Sequence, residues 1–355
     1  MAFLFSPRAL PRYVKRYGYA FSWKRLANFV LVLASMGLSR LLGRPVVWGR
    51  PFMMMVEPTN LCNLRCPLCP SGNGQMKRPR GTMELATFQR LIDQAGGHLL
   101  LLMLWNQGEP FINKHLLEMV RYARARRIPT MTSTNGHFIG TPAEAREVVE
   151  SGLDEVIISF DGVDQETYSR YRVGGQIEKV FEGTRLLARA KAELGSDTPL
   201  INLQFIVFRH NEEEVATAQR LARDLGADKF LVKTAQIYDV AEADLFLPEA
   251  EEFRRYEDLA SGDLKVKGQP ARGCKVLWYS TTVNWNGDVA PCCFDKDVDF
   301  PLGYTDEQAF ADIWKGSAYT RFRQRLLRDR LGLDMCRNCS EGYRGMFSLV
   351  RELRG

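Results

Sequence analysis

The stretch "EPTNLCNLRCPLCPSG", Glu57 to Gly72, holds three of the chain's eight cysteines within eight positions. Their spacing is C-x3-C-x2-C, through Cys62, Cys66 and Cys69. The run follows "FMMMVE" (52–57), an apolar segment that reads as a buried strand. Thiols gathered in a loop just after a strand point to a metal centre. A structural zinc ion is closed by four ligands, and an electron-carrying four-iron cluster also takes four cysteines. Three cysteines with no histidine nearby leave one metal position open to a small molecule.

Outward from that loop, strand-like and helix-like segments alternate. "LATFQRLIDQA" (85–95) has helical spacing, "LLLLMLW" (99–105) is strand-like, "NKHLLEMVRYARARR" (113–127) is helical and "IPTMTST" (128–134) is a short strand. Thr141 as N-cap, Pro142 at the first helical position and Gly152 at the stop frame the next helix. Strands over 153–160, 199–208 and 227–235 follow, with helices over 176–195 and 211–226. The alternation recurs roughly six times, which predicts parallel strands joined by crossover helices. No close repeat accompanies it, so a solenoid is not expected. Parallel α/β folds place their sites at the carboxyl ends of strands. Cys62, Gly108-Glu109-Pro110, Asn135-Gly136 and Asp161-Gly162 each follow a strand, so four distant segments are expected on one face.

After about Gly262 the pattern changes. "KVLWYSTTVNWNGDVAPCC" (275–293) reads as a β-hairpin with Asn286-Gly287 at its turn, and one or two helices lead on to "CRNC", Cys336 to Cys339. The expected organisation is a basic amphipathic helical arm over 1–50, an α/β unit over 51–262 and a small α+β unit over 263–355.

The cysteine run, with "QGEP", "STNG" and "ISFDG" in order after successive strands, makes Pro51 to about Ala235 resemble the radical S-adenosylmethionine (SAM) superfamily. The resemblance implies a partial (β/α)6 TIM-like barrel and a [4Fe-4S] cluster with three Cys ligands. It also implies SAM bound through its amino and carboxylate groups to the open iron. In that family an external donor, such as flavodoxin or ferredoxin, reduces the cluster. SAM is then cleaved to methionine and a 5′-deoxyadenosyl radical, which removes hydrogen from substrate. Such homolysis is cofactor chemistry, to which a protein contributes orientation and water exclusion. Carried over by position, Cys62, Cys66 and Cys69 are the cluster ligands. Gly108, Glu109 and Pro110 match the motif that receives SAM's amino group. Asn135 and Ser159 match positions near the ribose, with Asp161 beside them. Arg172, in "YSRYRVGG", resembles a basic residue that meets SAM's carboxylate, a role suited to its fork of donors. The chain departs from the family's frequent pattern at Gln107, where Gly is usual, and at Leu68, where an aromatic is usual.

Cys274, Cys292, Cys293, Cys336 and Cys339 form a second set. It resembles the auxiliary-cluster modules called SPASM and, in shortened form, twitch domains. Cys274, Cys292, Cys336 and Cys339 would then hold a second [4Fe-4S] cluster with four Cys ligands. The choice of Cys292 over Cys293 follows the resemblance; adjacent residues of a strand face opposite ways, so one of the two is expected to reach the metal. A closed cluster implies electron transfer and a net oxidation of substrate. Structural zinc fits a four-cysteine set equally well.

The reading that follows is a radical SAM oxidoreductase or maturase. Sugar, aminocyclitol and lipid-linked substrates are the leading classes: the twitch-like ending resembles that of 2-deoxy-scyllo-inosamine dehydrogenase, and the basic, apolar arm suggests a membrane-held lipid or lipid-linked sugar. A peptide- or protein-modifying maturase is the alternative. It is weighed slightly lower, since only about fifty residues, without an evident leader-binding domain, precede the barrel. A non-catalytic zinc protein with a nucleic-acid-binding arm is the reading from another class. A thiol oxidoreductase using Cys336 and Cys339 fits poorly, because its CxxC would sit soon after a first strand. Among the four histidines, His137 beside Asn135-Gly136 is the nearest to a motif, and a plain loop role is preferred for it.

Charge separates the arm from the body. The first fifty residues carry nine Lys and Arg and no Asp or Glu, while the other 305 carry 39 basic and 42 acidic groups. The body is therefore not a basic nucleic-acid binder, and nucleic acid is not expected as a partner. "LANFVLVLASMGL" (26–38) is too short for a confident bilayer span of ~20 apolar residues. Two readings fit it equally. One is a helix in a membrane interface, with Lys24, Arg25, Arg40 and Arg44 towards anionic headgroups; the other is a helix packed on the body. Reduced cysteines suit the cytoplasm, with a peripheral position at the inner face of the membrane under the first reading.

Overall fold

A computed structural model describes residues 16–257, 262–269, 273–341, 343 and 348–353. Arg8, Arg12 and Lys15 of the basic arm lie outside the described residues.

Among the described residues, ten strands form one sheet. In chain order they are β1 (Met53–Val56), β2 (Leu101–Met103), β3 (Thr130–Thr134), β4 (Glu155–Ser159), β5 (Leu200–Val207), β6 (Lys229–Thr234), β7 (Ser280–Val283), β8 (Asp288–Ala290), β9 (Gly303–Tyr304) and β10 (Ser348–Glu352). Their order across the sheet is β10-β6-β5-β4-β3-β2-β1-β7-β8-β9. β1 to β6 pair in sequence, all parallel, as the alternation predicts. β1 and β5 are apolar almost throughout and buried on both faces, the pattern of a parallel sheet covered on both sides. The crossover helices are amphipathic and turn one stripe inward. The helix over Pro142–Glu150 opens with the expected Thr141 cap, and Glu144 completes a capping box. Phe160, Phe205 and Phe230 fill the core edge-on, with Phe160 5.5 and 6.1 Å from its two neighbours.

β1 and β6 do not pair, so the barrel is open, and later strands cover both edges. β7 adds parallel to β1, with Met53 opposite Ser280; β8 and β9 continue antiparallel. On the far side β10 adds antiparallel to β6. The sheet's edges thereby move out to β10 and to the two-residue β9, and short edge strands offer little to a foreign strand. The hairpin turn falls at Asn286-Gly287 as expected. The start of that segment, Val276–Tyr279, is one helical turn instead of strand. That turn seats Trp278, whose Nε1–H donates to Ser39 Oγ and to the carbonyl of Val46, both at 3.0 Å.

Helix α1 (Trp23–Leu42) starts at Ser22, whose hydroxyl accepts from Arg25 N–H, and stops at Gly43 with φ +65°. The expectation that Arg25 turns towards headgroups is corrected. Arg25 is buried and donates to the carbonyls of Ala20 (2.6 Å), Arg126 (3.1 Å), Arg127 and Gly96 (3.4 Å). Arg126 and Arg127 follow helix Leu116–Ala125, and Gly96 follows helix Leu85–Ala95. Helix carboxyl ends expose unpaired carbonyls and partial negative charge, which a guanidinium satisfies without an acidic partner.

Candidate active site

Four loops meet at the carboxyl ends of β1 to β4. The first leaves β1 at Glu57 and carries the three cysteines. Its backbone is held from outside: Arg65 N–H donates to Val173 O (2.9 Å), and Leu61 O accepts Glu109 N–H (2.7 Å). Gly108 approaches the same loop so closely that a Cβ would stand 2.6 Å from Asn60 C and Leu61 O, at φ +76°. Only glycine takes that conformation at that distance. Ser71 Oγ, just past the third cysteine, accepts Gly108 N–H at 2.9 Å. The QGEP loop and the cysteine loop are thus one unit.

Cys66 is buried and Cys62 and Cys69 are half-buried, packed among Leu64, Leu68, Tyr171 and Phe208. Burial pushes the Cys62 thiol up to about 11 and raises Cys66 as well, with each neighbouring thiol adding to the rise. Leu64 N–H approaches Cys62 Sγ at 3.4 Å, and Arg172 Nη1 stands 3.9 Å from Cys66 Sγ. Both contacts favour thiolate. Among the described residues, no three or more His, Cys, Asp or Glu side chains converge to hold a single ion. A cluster does not need that convergence, since each thiolate binds its own iron. An all-thiol donor set in an apolar pocket with N–H groups aimed at sulfur fits such a group.

Glu109 is fully enclosed. Its carboxylate accepts from Thr134 Oγ1 (2.8 Å), Asn135 N–H (2.7 Å) and Phe111 N–H (3.2 Å). Desolvation outweighs these bonds and raises the carboxyl to about 7. Pro110 opens the short 3-10 turn behind it. Asn135 reaches across to the cysteine loop, Nδ2 to Asn63 Oδ1 at 2.7 Å. Ser159 ends β4, buried, 3.4 Å from Gln204 Nε2. Asp161 has no exposed surface, and its two oxygens are taken by Ile206 N–H (2.7 Å) and Arg172 Nε (2.6 Å). It stands behind Arg172 and fixes that guanidinium over Cys66. Gln107 is buried, its N–H donating to Glu57 Oε1 at 3.1 Å. His137 uses Nδ1 on Asn135 O (3.0 Å) and Nε2 on Gln176 N–H (2.8 Å), so it ties two loops together.

Cys336 and Cys339 are buried and Cys274, Cys292 and Cys293 half-buried. Burial raises Cys292, with Cys293, Cys274 and Cys339 adding to the rise, and burial raises Cys336, with Cys274 and Cys339 adding. Burial raises Cys293 too, with Cys339 and Glu341 adding to the rise and the Lys233 ammonium opposing it. The Arg330 guanidinium sits beside the set, donating to Cys339 O at 3.3 Å.

Several residues here carry little sequence signal. Glu57 and Arg78 form a buried bidentate pair beneath the cysteine loop. Lys296 lies over the Tyr238 ring at 4.1 Å, its ammonium lowered to about 8 by burial despite the Cys69 thiol nearby. A cleft of ≈ 1090 Å³ runs from Pro70, next to Cys69, to Asn338, next to Cys339, past Lys77, Tyr238 and Lys296. A charge closing an otherwise apolar strand, as in "MMMVE", was the one hint of Glu57.

The Radical SAM superfamily model matches residues 56–222, and the SPASM model, an iron-sulfur cluster-binding domain, matches 274–340. A PqqA peptide cyclase of Granulibacter bethesdensis is 24% identical over 302 residues, covering 77% of this chain and 76% of that protein. The crystal structure of Streptococcus suis SuiB bound to S-adenosylmethionine is similar with a TM-score of 0.59 at 15% identity, over 78% of this chain and 68% of that one. BtrN in complex with AdoMet and 2-DOIA gives 0.50 at 20% identity, over 82% and 93%. These structural likenesses establish a common fold: a partial TIM-like barrel followed by a smaller C-terminal domain.

Proposed function

We propose that this chain, a radical SAM superfamily enzyme with a C-terminal SPASM domain, holds a [4Fe-4S] cluster through Cys62, Cys66 and Cys69 and oxidises a substrate in the adjoining cleft. The observation that carries the reading is the single unit formed by the cysteine loop and Gly108-Glu109, where a small molecule on an open iron would meet Glu109. Bound there, the cluster and SAM would supply a 5′-deoxyadenosyl radical able to take hydrogen from an unactivated carbon.

The chain's own residues do the rest. Glu109, costly to ionise alone, accepts an ammonium group readily, because the cation offsets its desolvation. Arg172, set by Asp161, offers the opposite charge to a carboxylate. Asn135 and Ser159 present polar groups at the neighbouring strand ends for a ribose. Leu68, Tyr171 and Phe208 keep water from the thiols. Cys274, Cys292, Cys336 and Cys339 would hold a second, closed cluster as the electron acceptor, across the cleft from the first. An external reductant of the flavodoxin or ferredoxin kind is required, and the cytoplasm is the compartment that suits these thiols.

The cleft supports an extended, polar substrate. At ≈ 1090 Å³ it exceeds what a single small sugar fills. The relative named a peptide cyclase supports a peptide segment, and BtrN, in complex with 2-DOIA, supports an aminocyclitol-like group. Anaerobic reconstitution with SAM and dithionite tests the chemistry: about eight irons per chain and 5′-deoxyadenosine are expected. A Cys62→Ala variant should lose about four irons and all cleavage. Wild-type protein with full iron that never cleaves SAM overturns the proposal.

A further inference from the structure

Helix α1 is built inside out. Its buried residues are Arg25, Asn28, Val32, Ser35 and Ser39, four of them polar. Each polar one is bonded to the chain. Asn28 pairs with Arg50 through both amide atoms (2.8 and 3.0 Å), and Ser39 Oγ accepts from Val46 N–H (2.9 Å) and Trp278 Nε1–H (3.0 Å). The outward face carries Leu26, Val30, Leu31 and Leu33, each 41–55% exposed, with Trp23 at 77% and Leu41 at 82%. From Leu26 to Gly37 every exposed residue is apolar. A helix packed on a soluble body shows the reverse polarity.

We propose that the outer face of α1 lies in the interface of an anionic lipid bilayer, parallel to its plane, with the candidate site turned towards water. Charge selects this occupant. Exposed Lys24, Arg40 and Arg44 bracket the apolar stripe, and no acidic residue occurs in the first fifty. Aromatic Phe21 and Trp23 are exposed at the start of α1, and Trp48 is exposed on the segment that returns along it, as headgroup-level anchors are. A second copy across a two-fold axis would set basic end against basic end with nothing to neutralise it. A spanning orientation passes on length and composition alone. It would tear α1 from the body along the buried face between Arg25 and Ser39 and leave a guanidinium in hydrocarbon.

The orientation follows from the partners of α1. Arg50 precedes β1, Gly96 precedes β2, Arg126 and Arg127 precede β3, and Trp278 precedes β7. The helix therefore crosses the amino ends of the strands, whereas Cys62 and Gly108 follow carboxyl ends. Membrane and site are on opposite faces, so substrate arrives from the aqueous side. None of this depends on the chemistry proposed above.

The test is co-sedimentation of the full chain with vesicles of phosphatidylcholine, alone or mixed with phosphatidylglycerol. Wild type is expected to bind the mixed vesicles, and Val30→Asp/Leu33→Asp to bind at least about tenfold more weakly, with unchanged circular dichroism and melting. Lys24→Ala/Arg40→Ala/Arg44→Ala is expected to lose the preference for anionic vesicles while keeping its fold. Wild type that stays in the supernatant overturns the proposal. So does equal binding by the aspartate variant, or vesicle-bound protein that resists alkaline carbonate as a spanning helix does. A wild-type dimer that the aspartates dissociate, with no vesicle binding, assigns the face to a second copy instead.

Discussion

Replacing Arg78 with Met should destabilise the fold far more than its position in a loop suggests. The Arg78 side chain is 7% exposed and that of Glu57 not at all. Arg78 Nη1 donates to Glu57 Oε2 at 2.6 Å, Nη2 donates to Oε1, and Nε donates to Lys296 O at 2.6 Å. Glu57 Oε1 also accepts Gln107 N–H. One ion pair thus joins the end of β1, the segment after the cysteines, the QGEP loop and the C-terminal region. Met keeps much of the volume but none of the donors, so a carboxylate is left buried and uncompensated. Breaking one side of such a pair costs about 3–5 kcal/mol, roughly two to four powers of ten in the folding equilibrium. Urea unfolding followed by tryptophan fluorescence under anaerobic conditions reads this directly. Glu57→Gln added to Arg78→Met should recover about 2 kcal/mol, because the amide oxygen still accepts Gln107 N–H without a charge. A loss below about 1 kcal/mol in the single variant, the size of an exposed pair, would refute the reasoning. A double variant no better than the single would refute it too.

Glu109 makes stability pH-dependent in a known direction. Its folded pKa, about 7, lies above the ordinary 4.5, so the protonated form favours folding; that contribution is complete below the ordinary value and lost as pH rises through about 7. The loss should reach about 3 kcal/mol and be absent in Glu109→Gln, and identical pH profiles of unfolding would contradict it. Gly108→Ala places a methyl against immobile backbone at positive φ; a loss of about 1–3 kcal/mol and at least tenfold weaker SAM binding in equilibrium dialysis are expected. With Cys292 in the proposed ligand set, Cys292→Ala should lower iron by about four per chain while Cys293→Ala should keep it; the reverse pattern in iron analysis would exchange their roles.

The meeting of the candidate-site loops on one face was legible because each motif is local. Each of Cys62, Gly108, Asn135 and Asp161 follows a strand, and parallel pairing alone brings strand ends together. The bonds from Glu109 to Thr134 and Asn135, and from Asp161 to Arg172, then follow from that register. The second cysteine set was visible as residues, but its place across the cleft was not. That place depends on β7 joining β1 and β10 joining β6, pairings between segments more than one hundred residues apart.

The sequence by itself determined the strand–helix alternation, the order of the site loops and the charge of the arm, since periodicity and spacing act over a few residues. Tertiary structure alone decided which way α1 faces and which charges are buried. Arg25 turned inward, against its apparent amphipathic pattern, because helix ends distant in sequence gather unpaired carbonyls at one point. Glu57 and Arg78 became a structural pair for a like reason: a charge leaves water only where folding has already assembled its partners, and no local pattern records where those partners come to rest.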